Sequence, residues 1–165
     1  MAPPRPAGRT RTPHPHMNLP KLMLVLALLG QAVLAHAAEG LVAVKSVRSV
    51  QDTVNRLEAA VKERGLTVFA RIDHAAGAAK VGLALRPTEL LIFGNPQGGT
   101  PLMLCAQTAG IDLPLKALAW EDEAGQVWLG YNDPAFLAQR HGAPACPVVE
   151  NLRKALSGLA DAAAR

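Results

Sequence analysis

The segment Thr88-Glu89-Leu90-Leu91-Ile92-Phe93, followed by Gly94-Asn95-Pro96, decides the fold of this 165-residue chain. Its apolar run is short, contains aromatic and β-branched residues, and ends in a turn sequence. The segment therefore predicts a central strand, on either side of which the other elements can be placed.

The sequence before this strand predicts a β-α-β unit. Leu41–Val47 alternates weakly between apolar and polar residues, which indicates a strand. Ser49 and Asp52 have the spacing of a capping box, and Gly65 ends the helix that they begin. Leu66–Ile72 is rich in β-branched and aromatic residues and predicts a second strand. The apolar residues of the helix recur at intervals of three and four: Val50, Val54, Leu57 and Val61.

Between the second strand and the central strand the pattern is less distinct. Asp73–Lys80 predicts a loop or a short helix. Val81–Leu85 is ambiguous, and one interpretation is that it continues that helix.

The sequence after the central strand predicts helices around a hairpin. Thr100 and Pro101 are placed as the N-cap and first residue of a helix that runs to Gly110. Leu113–Trp120 and Gln126–Tyr131 flank a polar turn and predict the hairpin.

Two further helices are expected at the end of the chain. Asp133-Pro134 begins a short one that ends at Gly142, and Pro147 begins the last one. The Ala-rich residues 160–165 are expected to fray. Because strands and helices do not alternate regularly, the fold class is α+β, with a mostly antiparallel sheet. The last helix has one apolar face: Val148, Val149, Leu152, Leu156 and Leu159.

Residues 1–37 have the pattern of a secretory signal peptide. Basic residues precede the apolar run Leu22–Leu34, and Ala35-His36-Ala37 is a small-x-small cleavage site before Ala38. The run would rise about 20 Å as a helix, short of the roughly 30 Å of a bilayer core, although an uncleaved anchor is the alternative. Met17 is an alternative start. Residues 38–165 are then a single periplasmic or secreted domain.

The distribution of charge argues against nucleic acid as a partner. The chain has 17 Lys+Arg and 13 Asp+Glu, and the four unmatched basic residues all lie in the predicted signal peptide. Phosphate binding needs clustered Lys and Arg, whereas residues 38–165 interleave acids and bases. We therefore expect no nucleic-acid partner, and no membrane association once the signal peptide is removed.

Two cysteines, Cys105 and Cys146, survive the predicted cleavage. An oxidising compartment and an even count favour a disulfide. Two separate buried thiols are the alternative, since Cys105 lies in an apolar segment. A redox-active pair has little support, because there is no C-x-x-C spacing.

One segment resembles a phosphate-binding loop in outline, because a predicted strand is followed by Gly94-x4-Gly99-Thr100 and then by a predicted helix. Backbone N–H groups at a helix start attract anions. However, the lysine of that motif is missing and Pro101 removes a donor. A small anion site and a structural turn remain as interpretations, and nucleotide binding is disfavoured.

Two histidines, His74 and His141, are candidate metal ligands with Asp73 or Asp112 as the carboxylate. The spacing does not show that they meet. His141 closes a helix, where a cation is favourable, and His74 follows a strand end, where a polar loop contact is the alternative.

Nucleophilic catalysis has little support in the sequence. None of the three serines after residue 37 lies in G-x-S-x-G. Asp112 and Tyr131 lie near strand ends, where they could converge on a cleft with Asn95. Turn formation is the alternative role for Asp112.

Several blocks together resemble the family called domain of unknown function 302. They occur in the family's order over about residues 40–142: Ile72-Asp73-His74, Leu85-Arg86-Pro87-Thr88-Glu89-Leu90, Phe93-Gly94-Asn95-Pro96, Thr100-Pro101-Leu102-Met103, Asp112-Leu113-Pro114-Leu115-Lys116 and Tyr131-Asn132-Asp133-Pro134. The resemblance implies an α+β fold and a tendency to form homodimers. It implies no established reaction, and the cofactor is left unknown.

Polar positions carry over from the resemblance without a role attached: Asp73, His74, Asn95, Asp112, Tyr131 and His141. Cys105 stands where the family is expected to have another residue. With Cys146 it suggests a disulfide particular to an exported branch.

The leading functional hypothesis is a non-catalytic domain that binds a small ligand, an ion or a partner protein in a cleft near His74, Asn95 and Asp112. Polar residues at element ends are where binding sites are usually built. An enzyme with Asp73 and His74 as an acid–base pair is the second hypothesis. A metal chaperone or sensor that uses His74 and His141 is the third.

Overall fold

The computed structural model describes residues 38–165 and, before them, Met1 alone. The signal peptide predicted over residues 1–37, with its cleavage after Ala37, therefore lies outside the described residues. Within residues 38–165, no helix has both the length and the apolar character needed to cross a membrane.

Five strands and five α-helices make up the described part of the chain. In chain order they are β1 (Leu41–Ser46), α1 (Val50–Glu63), β2 (Thr67–Asp73), α2 (His74–Lys80), β3 (Thr88–Gly94), α3 (Pro96–Cys105), a 3-10 helix (Gln107–Ile111), β4 (Leu115–Glu121), β5 (Val127–Asn132), α4 (Pro134–Arg140) and α5 (Val149–Ala164).

The strands form one antiparallel sheet in the order β1-β5-β4-β3-β2. The α+β class with an antiparallel sheet is confirmed. β3 is an interior strand, as expected, although β4 is the middle one. β1 and β2 form the two edges, so α1 carries the chain from one edge of the sheet to the other.

Local sequence explains α1. The Ser49 hydroxyl accepts a hydrogen bond from the Asp52 N–H at 3.1 Å, which satisfies a donor that the first turn leaves free. Val54, Leu57 and Val61 are completely or almost completely buried, as the one-sided pattern predicts.

The largest hydrophobic cluster, called the main core below, lies between α1, α5 and one face of the sheet. Alternate residues of the interior strands point into it. Its fully buried members include Leu57, Leu91, Phe93, Leu129 and Leu159.

The start of α3 differs from the prediction. The helix begins at Pro96, with Asn95 as its N-cap, and Pro101 lies inside it. The prediction at Thr100-Pro101 was wrong because Asn95-Pro96 has the same cap-then-proline pattern five residues earlier. The helix ends at Cys105, and the 3-10 helix follows it.

The prediction of a fraying C-terminus was also wrong. α5 continues to Ala164, and Ala160, Ala163 and Ala164 are buried. The Ala164 carbonyl accepts hydrogen bonds from the Val47 N–H at 3.0 Å and the Ser46 hydroxyl at 3.3 Å. Small side chains here let the helix approach β1 closely.

Residues 81–87 do not continue α2. That helix ends at Lys80, and Gly82 has a φ of +75° that only glycine adopts without strain.

Candidate functional site

A cavity of about 670 Å³ lies beside α3, at the end of β3 where Gly94 leads into Asn95. Its walls come from β2, β3, α3, the segment 113–115 and α5. Most of its lining is apolar: Leu66, Phe69, Phe93, Met103, Leu113, Leu115, Leu152, Leu156 and Leu159.

The polar side chains that line this cavity are all neutral. They are Asn95, Gln97, Thr100 and Asn151, and among the described residues no Asp, Glu, Lys, Arg or His contributes to the wall. The cavity therefore offers hydrogen bonds without a formal charge.

Asn95 has a structural role as well as a place in the wall. Its Oδ1 accepts a hydrogen bond from the Gly98 N–H at 2.8 Å and so caps α3. Its Nδ2 donates to Gln97 Oε1 at 3.3 Å. Gly98 lies where a side chain would press on Asn95 Oδ1 and Leu152 Cδ2, at 3.3 and 3.4 Å. A side chain at this position would therefore fit only with a small shift of the Asn95 amide.

The edge of the cavity at β2 depends on an irregularity of the sheet. The register with β3 shifts between Val68 and Ala70, and the extra residue is Phe69. Its ring is 56% exposed and lines the cavity. A bulge re-aims a side chain in this way without changing the neighbouring strand.

Asp112 and His141 meet at the other side of the 3-10 helix. His141 Nε2 lies 2.7 Å from Asp112 Oδ2, and His141 Nδ1 lies 3.0 Å from the Thr108 hydroxyl. Arg140 Nη1 donates to Asp112 Oδ1 at 3.2 Å. The side chains of His141 and Asp112 are 8% and 15% exposed.

This hydroxyl–imidazole–carboxylate chain resembles a nucleophile with its base and orienting group. None of its three members lines either cavity described here. The bonds connect the 3-10 helix to the C-terminal end of α4, so we assign them a structural role. Thr108 was not singled out from the sequence, because nothing local pairs it with a histidine 33 residues away.

Asp73 and His74 lie at the opposite end of β3 from Asn95. Asp73 pairs in register with Glu89 at the start of that strand, whereas Phe93 pairs with Leu115 at its end. Seven residues of strand separate the two ends by about 20 Å. The structure thus does not gather His74, Asn95 and Asp112 around one cleft, nor His74 and His141 around one metal.

Asp73 is the N-cap of α2. Its Oδ1 accepts from the Ala76 N–H at 2.8 Å, and His74, the first residue of that helix, is exposed. Within residues 38–165, no group of three or more His, Cys, Asp or Glu side chains is placed to hold a metal ion.

Tyr131 belongs to a second, polar cleft of about 610 Å³ between β5 and α5. The residue is 7% exposed, and burial, followed by the negative charge of Asp133, raises the pKa of its hydroxyl. Arg153 crosses this cleft and pairs with Asp133 at 3.2 Å. These partners already compensate one another's charge.

Cys105 and Cys146 lie at disulfide-bonding distance, with their Cα atoms 5.9 Å apart. Cys105 ends α3, and Cys146 precedes α5. Cys146 is itself a member of a second, smaller hydrophobic cluster. The buried members of this cluster are Leu102, Ala109, Ala138, Cys146 and Leu152.

An ionic network that the sequence did not indicate ties α1 to the sheet edge. Arg71 on β2 bonds to Glu89 on β3, and its Nη1 donates to Asn55 Oδ1 at 2.7 Å and Glu58 Oε2 at 3.3 Å. The hydrogen bond with Glu89 is the main cause of a raised Arg71 pKa. Similarly, the hydrogen bond from Lys62 lowers the pKa of Glu58.

Comparisons with known proteins agree with this fold. A crystal structure of an uncharacterized conserved DUF302 protein from Bacillus stearothermophilus is similar, with a TM-score of 0.69 and 23% identity. It matches 78% of this chain and 100% of its own.

Curated relatives are more similar in sequence but much longer. Two proteins named fluoride-specific ion channel FluC 1, from Brucella suis and Brucella abortus, are 60% identical over 102 residues. The match covers 62% of this chain and 40% and 38% of theirs, so the chain spans about two fifths of the relatives' length.

A family model matches residues 42–159, which is most of the described part of the chain. The resemblance found in the sequence blocks is thereby confirmed, and the chain belongs to the family described as domain of unknown function DUF302.

Proposed function

We propose that residues 38–165 form a non-catalytic binding domain, which takes a small, uncharged and largely apolar molecule in the cavity beside α3. The observation that carries this proposal is a lining that combines many apolar side chains with four neutral hydrogen-bonding ones. Most small-molecule sites have this composition.

The size of the cavity supports a ligand of ordinary small-molecule dimensions. Known ligand pockets span roughly 300–1,000 Å³, and this one holds about 670 Å³. Burial of apolar ligand surface contributes about 25 cal/mol per Å². A neutral molecule gains this energy without losing the hydration of a charge.

The polar wall supports a ligand with one hydrogen-bonding end. The bond from Asn95 Nδ2 to Gln97 is long, at 3.3 Å, so a ligand oxygen can take its place at small cost. Asn95 Oδ1 keeps its bond to Gly98 in the meantime. The cap thus holds the amide in one orientation, as a binding site requires.

Catalysis by Asp73 and His74 has less support. Asp73 already accepts a backbone hydrogen bond, and neither residue lines a cavity described here. A metal role for His74 and His141 has less support as well, since they lie at opposite ends of β3.

A dye titration tests the proposal. The neutral apolar dye N-phenylnaphthylamine should bind the purified chain with a rise in fluorescence at a one-to-one ratio. Ala155→Trp places a large ring on the α5 wall of the cavity and should weaken dye binding by about tenfold, equivalent to about 1.4 kcal/mol.

The matched control is Ala162→Trp, on the same helix and also exposed but outside the cavity wall. It should leave dye binding unchanged. Equal weakening by both variants, or no dye binding by the unmodified chain, would contradict the proposal. Native mass spectrometry of the purified chain then identifies a ligand carried from the cell.

We further propose that the domain works in the periplasm or outside the cell. The signal-peptide pattern before Ala38 and a cysteine pair at disulfide-bonding distance both support this location. Amino-terminal sequencing of protein recovered from cells should return Ala38-Glu39-Gly40. A sequence beginning at Met1 or Met17 would contradict export by cleavage.

A second candidate function is that the domain acts together with an ion channel. It is favoured by the 60% identity to a segment of proteins named as fluoride-specific channels. If the domain acts in this way, deleting its gene should lower the fluoride concentration that stops growth. Unchanged fluoride tolerance in the deletion strain would remove this candidate.

A further inference from the structure

The pair Cys105–Cys146 joins two walls of the cavity. Cys105 is the last residue of α3, and Cys146 lies shortly before α5. On the cavity wall, Met103 stands two residues before Cys105, and Val148 stands two residues after Cys146. A covalent bond at this point therefore sets the spacing between α3 and the start of α5.

Non-covalent packing holds these walls less firmly than it holds the sheet. The second cluster has five buried residues, of which two are alanines and one is Cys146 itself. The main core has fifteen buried residues. α3 packs chiefly on the 3-10 helix, while α5 packs chiefly on α1 and α4. The bond thus adds a covalent link to the few contacts, such as the burial of Leu102 with Leu152, that keep α3 beside α5.

The two cysteine residues differ in their exposure to solvent. Cys105 is exposed, whereas Cys146 is 7% exposed. Thiol–disulfide exchange needs a thiolate to reach one sulfur while the other leaves. An outside thiolate is therefore expected to reach Cys105 more readily than Cys146, with Cys146 Sγ as the leaving group.

Although the sequence has no C-x-x-C spacing, we infer from the position of this pair between two cavity walls that it is a redox latch on the cavity, closed in the binding form and opened by a dithiol reductant. One thiolate of the reductant bonds to Cys105 Sγ, and Cys146 leaves as a thiolate that takes up a proton. The second thiol of the reductant then forms the reductant's own disulfide and releases Cys105 as a thiol. Two electrons and two protons pass to the protein.

The opened latch weakens binding because the walls lose their fixed spacing. A ligand must then order α3 and the segment before α5 as it binds, which costs affinity. We expect about tenfold weaker binding, within the usual range for coupling between two sites. This inference rests on the proposed function, since it concerns the same cavity.

The experiment titrates N-phenylnaphthylamine into the purified chain before reduction, after dithiothreitol, and after reoxidation. Intact mass gives the state of the cysteines through the two hydrogen atoms added on reduction. A double variant, Cys105→Ser with Cys146→Ala, is titrated alongside. Reduced wild-type protein provides the test independently of how well the variant folds.

If the pair is a latch, the dye binds strongly when Cys105 and Cys146 are bonded and weakly when both are free thiols. Strong binding should return on reoxidation. The double variant should bind the dye weakly, and its affinity should not change when dithiothreitol is added. Hydrogen exchange should rise in α3 and residues 143–148 on reduction but not in the sheet.

Equal dye affinity with the cysteines paired and free would overturn the latch and leave the proposed function standing. If the dye binds neither the oxidised nor the reduced protein, the latch and the proposed function are both overturned. Loss of the circular dichroism of the whole fold on reduction would also overturn the latch, since the bond would then support the entire domain.

Discussion

Under α1 and α5, the main core is filled by Leu57, Leu91 and Leu129, which are 1% exposed or less. Around α3, main-core residues such as Phe93 and Leu159 share the wall with glycines, Met103 and other partly exposed residues, and this wall borders a partly open cavity of about 670 Å³. Interiors are closely packed, as the main core is, whereas the space beside α3 is partly open to solvent. The contrast indicates that the sheet and two helices carry the stability, which leaves the α3 region free to keep an open space.

The way each region is held in place differs accordingly. Regular hydrogen bonding and buried leucines hold the main core. The α3 region depends on individual devices: the Asn95 cap and the Cys105–Cys146 pair. A region fixed at a few points is easier to open than one fixed by a whole face.

The largest effect should come from truncation in the main core. Leu129→Ala leaves a void under the sheet and should lower the free energy of unfolding by about 3–5 kcal/mol. Met103→Ala, on the cavity wall, should cost about 1 kcal/mol because its side chain already borders open space. Urea unfolding of both variants measures the difference. Equal losses would show that the α3 region is packed as tightly as the main core.

The next effect concerns the C-terminal end of the main core. Ala163→Leu adds volume where the side chain is completely buried and should lower the free energy of unfolding by about 1–3 kcal/mol. Its control, Ala162→Leu, is exposed and should change that free energy by less than about 0.5 kcal/mol. If the two variants unfold at the same urea concentration, the end of α5 does not belong to the main core.

A smaller loss is expected at the cap of α3. Asn95→Ala removes the acceptor of the Gly98 N–H and should cost about 1 kcal/mol. Asn95→Asp keeps an acceptor oxygen and serves as the control. Hydrogen exchange at the Gly98 amide should accelerate in the alanine variant alone. An unchanged amide in both variants would mean that α3 is held by other contacts.

The smallest effect is a pH dependence that belongs to the main core. Tyr131 is the single tyrosine of the chain, so the absorbance of tyrosinate reports it alone. Burial raises its pKa above the ordinary value of about 10. Its contribution to stability is therefore complete below pH ~10 and is lost as the pH rises through the folded-state pKa.

Tyr131→Phe is the control for that titration and should flatten the alkaline part of the stability curve. Tyrosinate that appears in the folded protein at the pH of a free tyrosine would show that the ring is not buried. It would also weaken the contrast between the main core, to which Tyr131 belongs, and the α3 region.

Much of the fold could be predicted because its causes are local. Ser49 caps α1 through a residue three positions away, and the apolar positions of α1 and α5 repeat with the helical period. The hairpin of β4 and β5 joins neighbouring segments. Errors arose where local patterns competed, as at Asn95-Pro96 and Thr100-Pro101, or where distant packing decided, as at Ala163 and Ala164.

The candidate site was only partly predictable, for the same reason. Asn95, a candidate ligand-binding residue from the sequence, lines the cavity at the end of β3, whereas Met103 and Asn151 belong to other elements and follow no local pattern. Asp73 and His74 have the residue types of an acid–base pair. The register of β2 with β3 nevertheless places them at the opposite end of β3 from the cavity.

The sequence by itself determined the class of the fold, the helices with clear caps and faces, the pairing candidates among the cysteines and the family. Each of these depends on spacing along the chain. Tertiary structure alone decided the strand order, the cavity beside α3, the meeting of His141 with Asp112 and the burial of the C-terminal alanines. These features depend on which elements pack together, and contacts between residues far apart in sequence settle that choice.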